Sequence, residues 1–288
     1  MGVEIDLAES LDHALELLAA ADPEVRPVAG ATDMVLRLHG GRLKAKRLVS
    51  IADVPELSFI QSDHHSTRFG AGTFLSDLLA NEDFCAEYRC AADSLRQFAS
   101  PQIRNRATVG GNVGNASPAA DMVPPLIALE AQITLGSKAR GMRTVPMEDV
   151  FLGFGKTSIA PDELIIEVTV PRRASWFQAF AKFGSRNANV IAVVNMALCL
   201  DLDGTRIRRA RAAYGSVAPK TLRALPVEQF LQGRELDEAT VRGVAEVVQQ
   251  AVSPIDDVRG SARYKRKLAV NATQDALAAA MKQARGTR

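Results

Sequence analysis

The stretch QIRNRATVGGNVGNASPAADMVPPL, Gln102 to Leu126, is unusually small and polar for the middle of a globular chain. Gly110, Gly111, Gly114, Asn105, Asn112, Asn115 and the single carboxylate Asp121 dominate it, with few bulky apolar residues before Met122. Glycine lets backbone amides converge on one point without a Cβ in the way, and such a nest of N–H groups binds phosphate oxygens. A second loop of the same character, VAGATD from Val28 to Asp33, follows a short strand. Two nests together imply a pyrophosphate held from both sides, although either loop taken alone also reads as a tight turn. The chain has no G-x-x-x-x-G-K-[ST] and no G-x-G-x-x-G followed some twenty residues later by an acid. A dinucleotide bound here therefore uses another fold.

Outward from these loops the elements are legible. SLDHALELLAAA, Ser10 to Ala21, has helical apolar spacing behind a Ser cap, and VRPVAG reads as a strand, so the chain opens strand, helix, strand. RLVSIADVPEL and TRFGAG add strands, and Phe74 to Ala99 reads as helix with a break near Asn81. Beyond the small-residue segment, a hairpin turns around Gly136 to Gly141, and ELIIEVTVP is an alternating strand closed by Pro171. From Phe177 the pattern is long antiparallel strands with a turn at Asp203-Gly204. Two helices follow, over Leu236 to Gln250 and Ser261 to Gln283. A domain boundary is expected near Pro171 to Ser175.

Composition excludes several functions. The 288 residues are 47% hydrophobic and 24% charged, with a net charge of +2, too small to argue for nucleic acid or an anionic membrane surface. The longest apolar runs, such as VIAVVNMALCL from Val190, are about half the length of a spanning helix, and no signal segment opens the chain. A cytoplasmic protein is expected. Cys85, Cys90 and Cys199 fit neither a disulfide framework nor a metal or iron–sulfur ligand set and read as buried thiols. His13, His39, His64 and His65 form no plausible metal triad, and a Ser/His/Asp site has no nucleophile-elbow sequence behind it.

PVAGATDMVLRL, PQIRNRATVGGNVGNASPAADMVPPLIAL, KFGSRNANVIAVV, AAYGSVAPKTLRA and DDVRGSARYKRKLAVN occur in an order and spacing that resemble the FAD-binding medium subunit of molybdenum hydroxylases, the xanthine dehydrogenase and aerobic carbon monoxide dehydrogenase family. The resemblance spans essentially the whole chain. It implies an α+β fold: a two-part FAD-binding domain of the vanillyl-alcohol oxidase/MurB-like (PCMH) type over residues 1–173, with subdomains of about 1–55 and 56–173. A smaller α+β C-terminal domain with an antiparallel sheet follows over 174–288. It also implies an oxidoreductase subunit with non-covalent FAD, whose molybdopterin and [2Fe–2S] groups lie on a large and a small partner subunit in a dimer of heterotrimers. Electrons pass on to an external acceptor such as NAD, a quinone or a cytochrome.

Carried over position by position, the resemblance makes Ala29, Gly30, Ala31, Thr32 and Asp33 the first pyrophosphate loop, and Thr108, Gly110, Gly111 and Asn112 the second. Asp121 would accept a bond from a ribose hydroxyl, while Phe98, Ile165 and Lys182 are further FAD contacts. Ala31 stands where relatives usually carry a second glycine, so a positive φ there would cost about 1 kcal/mol. Val190 and Ile191 would be apolar neighbours of the flavin, and Lys182 or Arg186 would supply a cation to its N1–C2 carbonyl edge. The basic runs Arg206 to Gly215 and Arg263 to Lys267 are candidates either for partner docking or for plain solvated charge. Three functions remain open at this point: an electron-transfer subunit of a molybdenum hydroxylase, a free-standing flavin oxidoreductase, and a binding module without FAD.

Overall fold

Ser10 caps the first helix by accepting the His13 N–H, and Leu11–Leu18 turns Ala14, Leu15 and Leu18 inward. The flanking strands Glu4–Leu7 and Val25–Val28 lie on either side of Arg47–Ser50 in a sheet whose pairings are all parallel. Parallel strands need a crossover connection, and this helix supplies the one that joins the two flanking strands. The structure, a computed structural model, describes residues 3–186 and 188–286. Its backbone gathers into two compact units: Met1–Asn81, Ser100–Ala116 and Ala131–Pro171 form the first, and Glu82–Ala99, Ser117–Glu130 and Arg172–Arg288 the second.

The first unit adds a five-stranded antiparallel sheet to the parallel one. Its spatial order is Ile60–Ser62, Ser66–Gly70, Leu164–Pro171, Gln132–Ser137, Gly141–Pro146. The central strand alternates as its sequence suggests, except at a bulge between Ile165 and Glu167. An extra residue there lets Ile165 and Ile166 both be buried in succession. Ile166 joins Leu15, Leu18, Val49 and Leu57 in the core under the first helix.

The second unit is built on a four-stranded antiparallel sheet, Phe177–Phe183, Val194–Asp203, Arg206–Gly215 and Leu222–Arg223 in that order. Met196, Leu198, Leu200, Ile207, Ala212 and Tyr214 pack with Val244, Val248 and Leu277 from the helices Glu238–Ala251 and Ala262–Gly286. Positions between them face the helices Arg89–Arg96 and Val123–Ala128, with Cys199 Sγ 3.9 Å from Cys90 Sγ. A strand covered on both faces has no polar side to alternate with, which explains the almost unbroken apolar run Ala192 to Leu200.

Two expectations are corrected. Phe74 to Ala99 breaks at Asn81 as read but breaks again at Tyr88, giving Leu75–Ala80, Glu82–Glu87 and Arg89–Arg96. Tyr88 is fully buried with its ring 5.3 Å from that of Phe84, and the second break turns it inward. Cys90 and Cys199 are buried thiols, but Cys85 is only half-buried, because it sits on a short helix with one face toward solvent. Among the described residues no helix is long and apolar enough to cross a membrane.

Candidate functional site

In the first unit, the strand Val25–Val28 ends in the segment Ala29–Asp33, which leads into the helix Met34–His39. A Cβ on Gly30 would overlap the Arg106 carbonyl oxygen and lie 2.6 Å from its carbon, so only glycine lets the loop approach this close. Ala31 adopts φ +58°, a left-handed conformation that favours glycine. None of the backbone N–H groups of Gly30, Ala31, Thr32 and Asp33 donates to another group of the chain among the described residues. They form a run of open donors about a left-handed residue, as an anion nest requires. Arg37 Nη1 donates to Asn115 Oδ1 at 2.6 Å, a second tie to the small-residue segment. The two loops are therefore brought together within one unit.

The second loop works differently from expectation. Thr108 is the N-cap of the helix Val109–Gly114, and its hydroxyl accepts the Gly111 N–H at 3.1 Å. The Val109 N–H donates to Thr73 O at 3.1 Å, Gly110 to Ala71 O at 2.8 Å and Asn112 to Thr108 O at 3.0 Å. These amides are already satisfied, so the double glycine is not a second nest. Gly110 serves close packing, since a Cβ there would lie 2.7 Å from Ala71 Cβ. Gly111 and Gly114 are exposed and leave the helix face bare, with Ile165 Cδ1 3.5 Å from where a Gly114 Cβ would stand. Asn112 Oδ1 is buried without a partner. A buried acceptor of that kind calls for a donor from outside the chain.

Gly111→Val separates these roles. The new Cβ meets only Thr108 Oγ1, 3.1 Å away, so the fold should survive at a cost of about 1 kcal/mol for a weakened cap. The flavin-to-protein absorbance ratio should fall sharply. Full flavin content in the purified variant would show that no ligand lies against this face.

The remaining candidates belong to the second unit. Lys182 Nζ is 2.6 Å from Asp121 Oδ2 and donates to Gln97 O at 2.9 Å, and the two side chains are only 4% and 7% exposed. The lysine is therefore one half of a buried ion pair and not a free cation. Burial pushes the Asp121 carboxyl up, opposed by Lys182 and by Asn195, whose Nδ2 donates to Oδ1 at 2.9 Å. Asn195 escaped the sequence reading, although a lone amide inside the run VVNMALCL was a visible signal. The Arg186 guanidinium donates to Asn189 O and keeps its charge. Ile191 is 66% exposed and Phe98 is half-buried. Asn187, in the quoted stretch KFGSRNANVIAVV, lies outside the described residues.

The basic runs are also partly spent. Arg209 and Arg211 converge with Arg173 on Glu130, whose carboxyl burial works against but which these arginines hold below its usual range. Lys265, 1% exposed, donates to Ile255 O at 2.9 Å and pairs with Asp257 at 2.8 Å.

Matches to known proteins cover both units. Residues 3–173 match the family described as the FAD-binding domain in molybdopterin dehydrogenase, and residues 178–280 the CO dehydrogenase flavoprotein C-terminal domain. The glyceraldehyde dehydrogenase medium chain of Sulfolobus acidocaldarius is 33% identical over 261 residues, 91% of this chain and 92% of that one. The xanthine dehydrogenase FAD-binding subunit of Escherichia coli O157:H7 is 31% identical, covering 97% and 96%. Among solved structures, carbon monoxide dehydrogenase from Hydrogenophaga pseudoflava superposes with a TM-score of 0.92 at 28% identity over 96% of each chain. The chain thus belongs to the FAD-binding family of molybdopterin dehydrogenases, as an α+β oxidoreductase subunit of the medium-chain kind.

Proposed function

We propose that this chain is the electron-transfer subunit of a molybdenum hydroxylase. It accepts electrons from [2Fe–2S] clusters on a small partner and delivers them to an external acceptor, while a large molybdopterin subunit oxidises the substrate. Its relatives include the medium or FAD-binding subunits of glyceraldehyde and xanthine dehydrogenases, which supports assembly with partner subunits, here read as a dimer of heterotrimers. When bound, FAD supplies a carrier that takes up and gives out electrons. The observation that carries the reading is the run of open amides from Gly30 to Asp33, together with the buried and unpartnered Asn112 Oδ1 in the same unit.

In the first unit, Ala29, Gly30, Ala31, Thr32 and Asp33 hold the pyrophosphate through backbone N–H groups. Asn112 accepts a donor of the cofactor, the bare Gly111 face admits it, and Thr108 and Gly110 hold that helix start in place. Ile165 gives apolar contact through Gly114. In the second unit Asp121 keeps lone pairs for a hydroxyl, Lys182 holds that carboxylate, and Phe98 and Ile191 give apolar surface. No cysteine or histidine lies in either loop, so the cofactor is held without a covalent bond.

The test is a purified chain whose yellow colour is lost to the supernatant on acid precipitation and is bleached only when partner subunits and their substrate are added. Direct turnover of a substrate by the isolated chain would instead make it a free-standing flavin oxidoreductase. A colourless chain that cannot be reconstituted would make it a binding module.

A further inference from the structure

Consecutive strands of the second unit set Lys182 directly opposite Asn195, and Asn195 opposite Gly215. Directly paired residues share a face of the sheet, and Asp121 lies over this row. Asn195 Nδ2 donates to Asp121 Oδ1 at 2.9 Å and to Ala120 O at 3.3 Å, while Lys182 takes the other carboxylate oxygen. A Cβ on Gly215 would collide with Asn195 Oδ1 and lie 2.9 Å from Pro118 O, so glycine makes room for both. Ser216, the next residue, donates its N–H to Pro118 O at 2.7 Å. The segment Pro118 to Asp121 is thus pinned along its length by the ends of three strands. Asn195 is fully buried and its Oδ1 has no partner, an arrangement that packing alone does not favour. Both of its donor bonds serve the Ala120–Asp121 segment.

We propose that Asn195 is a positioning residue for FAD, turning the Asp121 carboxylate so that each oxygen takes one donor from the chain and keeps a lone pair for a hydroxyl of the cofactor. This rests on the cofactor reading above. Lys182 is the charged side chain in contact with Asp121 among the described residues, and no other acidic or basic group there bonds to either Asp121 or Asn195.

Asn195→Asp tests it with an isosteric change that replaces the amide donor by a second carboxylate. Two carboxylates this close to one ammonium do not both stay ionised as pH falls. Once one takes a proton, the pair is joined by a hydrogen bond like the one lost. The FAD dissociation constant of the variant should exceed the parent's by about tenfold at pH 8 and return to within about threefold of the parent's at pH 5. Asn195→Ser shortens the donor without adding charge, so its loss, also about tenfold, should be equal at both pH values. Quenching of FAD fluorescence by apoprotein reads the affinity, and apoprotein melting at each pH reports the fold. Parent-like affinity of Asn195→Asp at pH 8, or losses that merely follow melting with no difference between pH 8 and pH 5, would make Asn195 a sheet filler and overturn the proposal. Should Asn195→Asp not fold at pH 8, Asn195→Ser decides: weaker FAD binding with unchanged melting supports the proposal, and unchanged binding overturns it. A parent chain that takes up no FAD would instead overturn the cofactor reading, and this proposal with it.

Discussion

Gly30→Ala is expected to weaken FAD binding about a hundredfold in a chain that still folds. The added methyl group occupies the place of the Arg106 carbonyl, and both obstructing atoms are backbone, so no side-chain rotation relieves the clash. The loop from Ala29 to Asp33 must withdraw by on the order of 1 Å, a shift large enough in a preorganised site to cost about a hundredfold in binding. The overpacking itself costs about 1–3 kcal/mol. Flavin content on purification and reconstitution at increasing FAD measure the first effect, and urea unfolding of the apoprotein the second. Uptake of FAD equal to the parent's would remove the first loop from the site.

Lys182→Met is expected to destabilise the second unit strongly. Its partner Asp121 is nearly as buried as the lysine, and removing one member of such a pair costs about 3–5 kcal/mol because the other charge stays behind. The pH dependence follows from the sign of the shift. Burial already raises the Asp121 carboxyl, and loss of Lys182 raises it further above its unfolded value. The deficit of the variant against its parent is therefore fully present above that raised folded value and fades as pH falls through it, where Asp121 takes a proton. Adding Asp121→Asn should recover much of the loss. Denaturant unfolding of the two single variants and the double one, at pH 5 and pH 8, checks this. A pH-independent deficit that Asp121→Asn does not relieve would mean that the methionine simply packs badly.

The contrast between Gly110 and Lys182 shows where sequence reasoning stopped. The alternation in Leu164 to Val170 and the doubly buried run ending at Leu200 were readable because local period reports burial directly. The positive φ at Ala31 was anticipated because one residue departs from a glycine pattern. Gly110 was visible as special, but a glycine does not announce whether its amide or its missing Cβ matters. Here the amide is spent on Ala71 and the bare Cα carries the function. Lys182 looked like a free cation because its partner comes from a segment some sixty residues earlier, and the register placing it beside Asn195 depends on strands that no local pattern specifies. The passages of the chain between units at Asn81/Glu82 and Ala116/Ser117 carry no shift in composition at all.

Those passages matter for biosynthesis. The helices Arg89–Arg96 and Val123–Ala128 cover one face of the sheet that runs from Phe177 to Arg223, yet both leave the ribosome long before that sheet exists. At about 5–20 residues per second, the interval between Ala128 and Gly215 is roughly 4–17 s. For that time Leu95, Leu126 and Ile127, all buried in the finished protein, have no sheet to cover them. The nascent chain thus carries an uncovered apolar helix pair through the later stages of its own translation. A fragment starting at residue 174 would have the reverse defect, a finished sheet with Ala197, Cys199 and Ala213 bare to water, and would aggregate where the full chain does not.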